Sequence, residues 1–288
     1  MTSKGSAVVL AEDSLSLVHA GVCHLAEDAR VAQIVIFCPP GHFVSGVDVG
    51  IFQSRLIENA VNRILEFTQI AHSSLFSISR CPKSVTAFVD GPAFGGGLEL
   101  ALACHRIVAG PKAKFCFPET GLGIYPGMGG TQRLPRRVGV GLAKWMIYTG
   151  SIVPAEHALQ LGLIDAVSSA SNVEEALSAL DWAAPRLTLE PRFRQLAEMF
   201  ATRNVDDFLD ASAPMPTDAP SVRALVQTRS AAPQALRLAE RVIDRGITLP
   251  LEQGIQIELA HLAAVFATND ARTGLNAVGK PRPKFSGD

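Results

Sequence analysis

The run Asp90-Gly91-Pro92-Ala93-Phe94-Gly95-Gly96-Gly97-Leu98-Glu99 constrains this chain more than any other segment. It follows Ser84 to Val89, a short apolar stretch that reads as a buried strand closed by the Asp90-Gly91 turn pair. Three consecutive glycines then open a helical segment, Leu98 to His105. Glycine lacks a Cβ, so such a run lets two pieces of backbone approach closely and adopt φ values that other residues avoid. Unpaired N–H groups at a helix N-terminus can hold an anion or a developing oxyanion. Glu99 lies in the first turn, where the helix dipole favours a carboxylate, and close enough to serve as a base beside a polarised carbonyl. Alone, the pattern is also what tight helix–strand packing demands.

The same order of strand, loop and helix recurs along the chain. Val31 to Cys38 is a β-branched run ended by Pro39-Pro40-Gly41, and the Asp13 to Asp28 stretch before it has helical spacing. Between Gly50 and Ser79, Phe52, Leu56, Val61, Leu65 and Phe76 recur at helical intervals, which predicts one long amphipathic helix. Arg106 to Ala109, Lys114 to Phe117 and Ile164 to Val167 read as further strands, with helices over Thr131 to Tyr148 and Ala155 to Leu161. The class is α/β. Beyond residue 172 strand signals stop; a polar, Pro-containing stretch near Ala211 to Pro220 precedes helices at Pro233 to Arg245 and Leu249 to Thr268. This places an α/β core carrying the site in residues 1–195 and a helical region in residues 196–288. Leu251, Ile255, Leu259, Leu262 and Phe266 share one helix side, suited equally to core or to an oligomer contact.

Composition removes several function classes. A formal net charge of -1 leaves no basic footprint for nucleic acid or a polybasic membrane contact. No run reaches the ~18 consecutive apolar residues of a membrane span, and the N-terminal stretch has neither a secretory h-region nor a transit-peptide pattern. The five cysteines, Cys23, Cys38, Cys81, Cys104 and Cys116, form no CxxC pair, so they read as reduced core residues in a cytoplasmic protein. No phosphate-binding P-loop, HExxH, GxSxG or GxGxxG motif is present, so neither a metal nor a dinucleotide cofactor is expected. His42 and His105 read as structural groups.

Two further loops could join the chemistry. His42 to Asp48 carries Ser45-Gly46-Val47 after a strand, a second source of free N–H groups, and Phe117-Pro118-Glu119 sets a carboxylate between a strand and a rigid Gly/Pro loop. Either alone is weak. Together, Ser45-Gly46-Val47-Asp48, the Gly95 to Glu99 helix start, Phe117-Pro118-Glu119 and the run Gly121 to Gly139 occur in an order and spacing that resembles the enoyl-CoA hydratase (crotonase) superfamily. The likeness continues through Thr149-Gly150, Gly162-Leu163-Ile164-Asp165 and the basic ending Lys280 to Phe285. Gly95 to Gly139 is most similar to the hydratase part of multifunctional fatty-acid oxidation proteins.

The resemblance implies a crotonase-like spiral of ββα repeats with a helical C-terminal region, assembled as homotrimers or homohexamers. It implies a CoA thioester substrate held by Ser45, Val47, Asp48, Gly96 and Lys280, with coenzyme A as part of the substrate. The backbone N–H groups of Val47 and Gly96 would form the oxyanion hole, with Glu99 activating water and Glu119 protonating C2 in hydration of an enoyl-CoA. Three departures stand out. The N-terminal β-hairpin reads as shortened to Ala7 to Leu10, Val49-Gly50 replaces a lysine common in relatives, and Leu187 to Ser230 is extra, resembling the longer layout of 3-hydroxyisobutyryl-CoA hydrolases. A thioester hydrolase, an enoyl-CoA isomerase and a non-catalytic acyl-CoA-binding subunit are the alternatives. Lys280, Arg282 and Lys284 are phosphate contacts or an exposed basic tail.

Overall fold

The computed structural model describes residues 2–4, 7–11, 13–170, 172–178, 180, 182 and 187–288. The chain divides into two compact units that interleave along the sequence. The first holds Met1–Asp48, Glu66–Cys116 and Ile152–Thr188; the second holds Val49–Leu65, Phe117–Ser151 and Leu189–Asp288. This division does not follow a single cut near residue 195, because Val49–Leu65 and Phe117–Ser151 group with the C-terminal helices.

In the first unit, a parallel four-stranded sheet runs in the order Ala166–Val167, Arg106–Ala109, Ser84–Val89, Gln33–Phe37. Ser84–Val89 is buried from Val85 onward, as expected of an apolar run with neighbours on both edges. Ile164 and Asp165 stay outside the strand. There the Asp165 N–H donates to the Ile107 carbonyl at 2.8 Å while its carboxylate accepts the Ile107 N–H at 2.7 Å, so a side chain supplies one of the two acceptors. A second sheet sets Lys114–Cys116 between Pro92–Phe94 and Val153–Pro154. A third joins Thr2–Lys4, Ala7–Leu10 and Val44–Val47. The N-terminal hairpin is therefore present, with Thr2–Lys4 antiparallel to Ala7–Leu10. Thr2-Ser3-Lys4 has no apolar alternation, so nothing in its composition signalled a strand.

The single long helix expected from Gly50 to Ser79 is two, Val49–Ile57 and Val61–Ser79. Asn59 adopts a left-handed φ of 53°. The Ala60 N–H returns to the Arg55 carbonyl at 2.8 Å and the Asn59 N–H to Leu56 at 3.2 Å, the paired bonds of a Schellman stop. Asn tolerates that conformation through its short polar side chain, but it punctuates a sequence less visibly than Gly.

The second unit is helical. Its Val140–Thr149 helix is buried on every side, and the stretch read as extra packs on it: Trp145 meets Phe193 at 5.8 Å and Tyr148 meets Phe200 at 6.0 Å between ring centroids. Ile255, Leu262 and Phe266 are core residues of this unit. The Tyr148 hydroxyl lies buried among Phe200 and Phe208 with no hydrogen-bond partner among the described residues. An orphaned buried hydroxyl carries a desolvation cost of about 1–3 kcal/mol. Tyr148→Phe is therefore expected to melt at the same temperature as the parent or up to several degrees higher. A drop of several degrees in a thermal melt would reveal a bond that the hydroxyl makes.

All five cysteines are free, and Cys38, Cys81, Cys104 and Cys116 are buried. Among the described residues, no helix is long and apolar enough to cross a membrane.

Candidate active site

In the first unit, the glycine run does what its composition allows. Gly95 takes φ 49° and ψ -123°, and donates its N–H to the Cys116 carbonyl at 2.9 Å. That turn ends the Pro92–Phe94 strand and starts the Gly96–Ala103 helix at once. A Cβ on Gly97 would sit 1.8 Å from the Val44 carbonyl oxygen, so the helix start presses directly on the Val44–Val47 strand. The far end of that strand is pinned by the Asp48 N–H, which donates to Leu10 at 2.9 Å. The structure thus seats the helix start that holds Gly96 and Glu99 on Val44, in the strand that carries Ser45 and Val47 and leads into Asp48.

Glu99 donates its N–H to the Gly95 carbonyl at 3.0 Å and is only 2% exposed. Its helix neighbours Leu98, Leu100, Ala101 and Ala103 are all buried. Burying a carboxyl among apolar side chains is costly, so its presence calls for a role beyond packing. His105, by contrast, is structural: its Nδ1 accepts the Val85 N–H at 3.0 Å, and its main-chain N–H donates to the Val85 carbonyl at 2.9 Å. The His42 ring contacts the Pro40 carbonyl at 3.1 Å.

In the second unit, Glu119 opens a short 3-10 turn, Glu119–Leu122, and is largely buried. The turn is held from several directions. The Thr120 hydroxyl donates to the Ile147 carbonyl at 2.8 Å, and the Thr120 carbonyl accepts the Ala232 N–H at 3.0 Å. Arg282 donates to the Ser230 hydroxyl at 2.7 Å, and its guanidinium lies where a Gly121 side chain would be, 2.5 Å from the Cβ position. Arg282 is therefore tethered beside the turn rather than loose in a basic tail. Lys280 is exposed and donates to the Asn276 carbonyl at 3.2 Å on the surface of this unit.

The second unit also contains an acidic residue that sequence reasoning missed. Glu258 is fully buried on the Leu251–Phe266 helix; its carboxylate accepts the Gly129 N–H at 2.7 Å and the Thr131 hydroxyl. The available signal was phase, since position 258 falls on the stripe of Ile255 and Leu262 at spacings of three and four.

A family model described as Enoyl-CoA hydratase/isomerase matches residues 18–207. An enoyl-CoA isomerase/hydratase of Mycosarcoma maydis is 33% identical over 284 residues, covering 96% of this chain and 86% of that protein. A crotonyl-CoA hydratase of Syntrophomonas wolfei is 30% identical over 270 residues, covering 93% and 85%. The crystal structure of an enoyl-CoA hydratase from Rhodobacter sphaeroides superposes with a TM-score of 0.83 at 19% identity, over 98% of this chain and 87% of that one, which establishes the crotonase fold.

Proposed function

The chain belongs to the enoyl-CoA hydratase/isomerase family, and from that premise we propose that it adds water across the 2,3 double bond of an enoyl-CoA thioester. The observation that carries this reading is the junction in the first unit, where the Gly95 turn presses the Glu99 helix onto the Val44–Val47 strand. The N–H groups of Val47 and Gly96 hold the thioester oxygen as negative charge builds there; one such donor contributes about 3 kcal/mol in comparable oxyanion holes. Glu99 draws the proton from water attacking C3, and Glu119 delivers a proton to C2. This division requires one carboxyl ionised and the other protonated. Ser45, Asp48 and Lys280 contact the coenzyme A portion. No step in the scheme calls for a metal or redox group.

A second reading, double-bond isomerisation, is favoured by the name of the Mycosarcoma maydis relative, an isomerase/hydratase. Isomerisation needs a single carboxyl to shuttle a proton, whereas the chain carries two buried glutamates at the motif positions, which favours hydration. The remaining expectations belong to the same proposal. Five free cysteines support a reducing compartment such as the cytoplasm, and the family likeness supports a homotrimer or homohexamer, measurable by sedimentation.

Crotonyl-CoA distinguishes the chemistries when enone absorbance and free thiol are followed separately. Hydration consumes the enone without releasing thiol. Thiol released in step with the loss of absorbance, leaving crotonate as the product, would replace this reading with thioester hydrolysis, and no change in either would remove it.

A further inference from the structure

Resting on the hydratase reading, we infer that Glu258 is a positioning residue that fixes the loop between Glu119 and the Gly130–Val138 helix. After the Glu119 turn, the chain runs through Ile124, Tyr125 and Gly127 to Gly129, which caps the helix with a left-handed φ of 101°. Such a cap exposes backbone donors that no carbonyl of the helix can satisfy. Glu258 supplies the acceptor from another helix: its carboxylate takes the Gly129 N–H at 2.7 Å and also the Thr131 hydroxyl.

The same residue grips the loop at its other end. The Tyr125 hydroxyl donates to the Glu258 main-chain carbonyl at 2.7 Å. Burial, and the Glu258 carboxylate nearby, push the Tyr125 phenol well above its usual range, so the donor keeps its proton. One step back, the Ile124 N–H donates to the Glu119 carbonyl at 3.1 Å, so the segment that Glu258 clamps is bonded directly to the backbone of Glu119. Room for the loop is also set by this helix, since a Cβ on Gly127 would lie 2.8 Å from Leu262 Cδ1.

A generic core contact would not need a carboxylate. Position 258 lies on an apolar stripe where leucine would pack without desolvation cost, and each of its two carboxylate oxygens accepts from a donor at the loop's end. Its consequence for chemistry is geometric, because acid/base transfer depends on a carboxyl held within hydrogen-bond reach of the reacting atoms.

Glu258→Gln keeps the shape but offers only one acceptor oxygen, while Thr131→Val removes the hydroxyl donor and Thr131→Ser keeps it. With crotonyl-CoA, the Gln and Val variants are expected to lose at least tenfold in kcat with KM within threefold, and the Ser variant to stay within threefold of the parent. A folded Gln variant with parental kcat would overturn the inference, as would equal losses in the Val and Ser variants. If the Gln variant does not fold, the Val and Ser pair decides alone. Amide hydrogen exchange of the peptide spanning residues 119–131 gives a readout independent of turnover. Faster exchange is expected there in the Gln or Val variant, and unchanged exchange overturns the positioning role even if the parent enzyme proves inactive on crotonyl-CoA. Parental inactivity with faster exchange in the variant would instead discard the hydratase reading alone.

Discussion

Glu99→Gln is expected to lower kcat for crotonyl-CoA hydration by about 10³-fold, within the range of roughly 10²–10⁴ that a positioned acid or base contributes. Glutamine keeps the shape and hydrogen-bonding oxygen of the buried side chain, so KM should stay within a few-fold and the melting temperature should not fall. Glu119→Gln is expected to give a loss of the same order, and the double variant less than the product of the two, since paired groups that act on one reaction do not contribute independently. Steady-state kinetics beside thermal melts separate this from unfolding. Full activity in either single variant would remove that glutamate from the chemistry.

Gly97→Ala is expected to damage fold and activity together. The new methyl would meet the Val44 carbonyl oxygen at 1.8 Å, a backbone atom that no rotamer change can move aside. The helix start would have to lift from the Val44–Val47 strand. Overpacking of this kind costs about 1–3 kcal/mol and sometimes more. Whatever protein remains folded would carry a displaced Gly96 amide, and loss of one oxyanion donor removes about 10²–10³ in kcat. A variant that melts and turns over like the parent would show that the helix start tolerates displacement and plays no part in holding the thioester.

Most of the first unit was legible because its strands advertise themselves: Ser84–Val89 is an apolar run bounded by a turn pair, and Gly95 to Gly97 announce a close approach. Elements whose stability comes from tertiary partners were not. Thr2–Lys4 is a polar strand defined by pairing alone, and the stop at Asn59 rests on two backbone bonds that leave little trace in composition. The interleaved units could not be read from local patterns either, since Val49–Leu65 carries no mark of grouping with helices far along the chain. For the site, Val47, Gly96, Glu99 and Glu119 stood out because glycines or proline surround them. Glu258 did not, because a glutamate in an amphipathic helix reads as a solvated position until its phase with Ile255 and Leu262 is counted.

The central claim, that two main-chain amides and two glutamates serve one thioester, is tested most directly by a crystal structure of the protein with a 3-oxoacyl-CoA, which lacks the double bond and cannot be hydrated. The expected result is a thioester oxygen within about 3.2 Å of the Val47 and Gly96 nitrogens, with the Glu99 and Glu119 carboxyls both facing C2 and C3. A thioester oxygen bound elsewhere, or either carboxyl turned away from the acyl carbons, would contradict it.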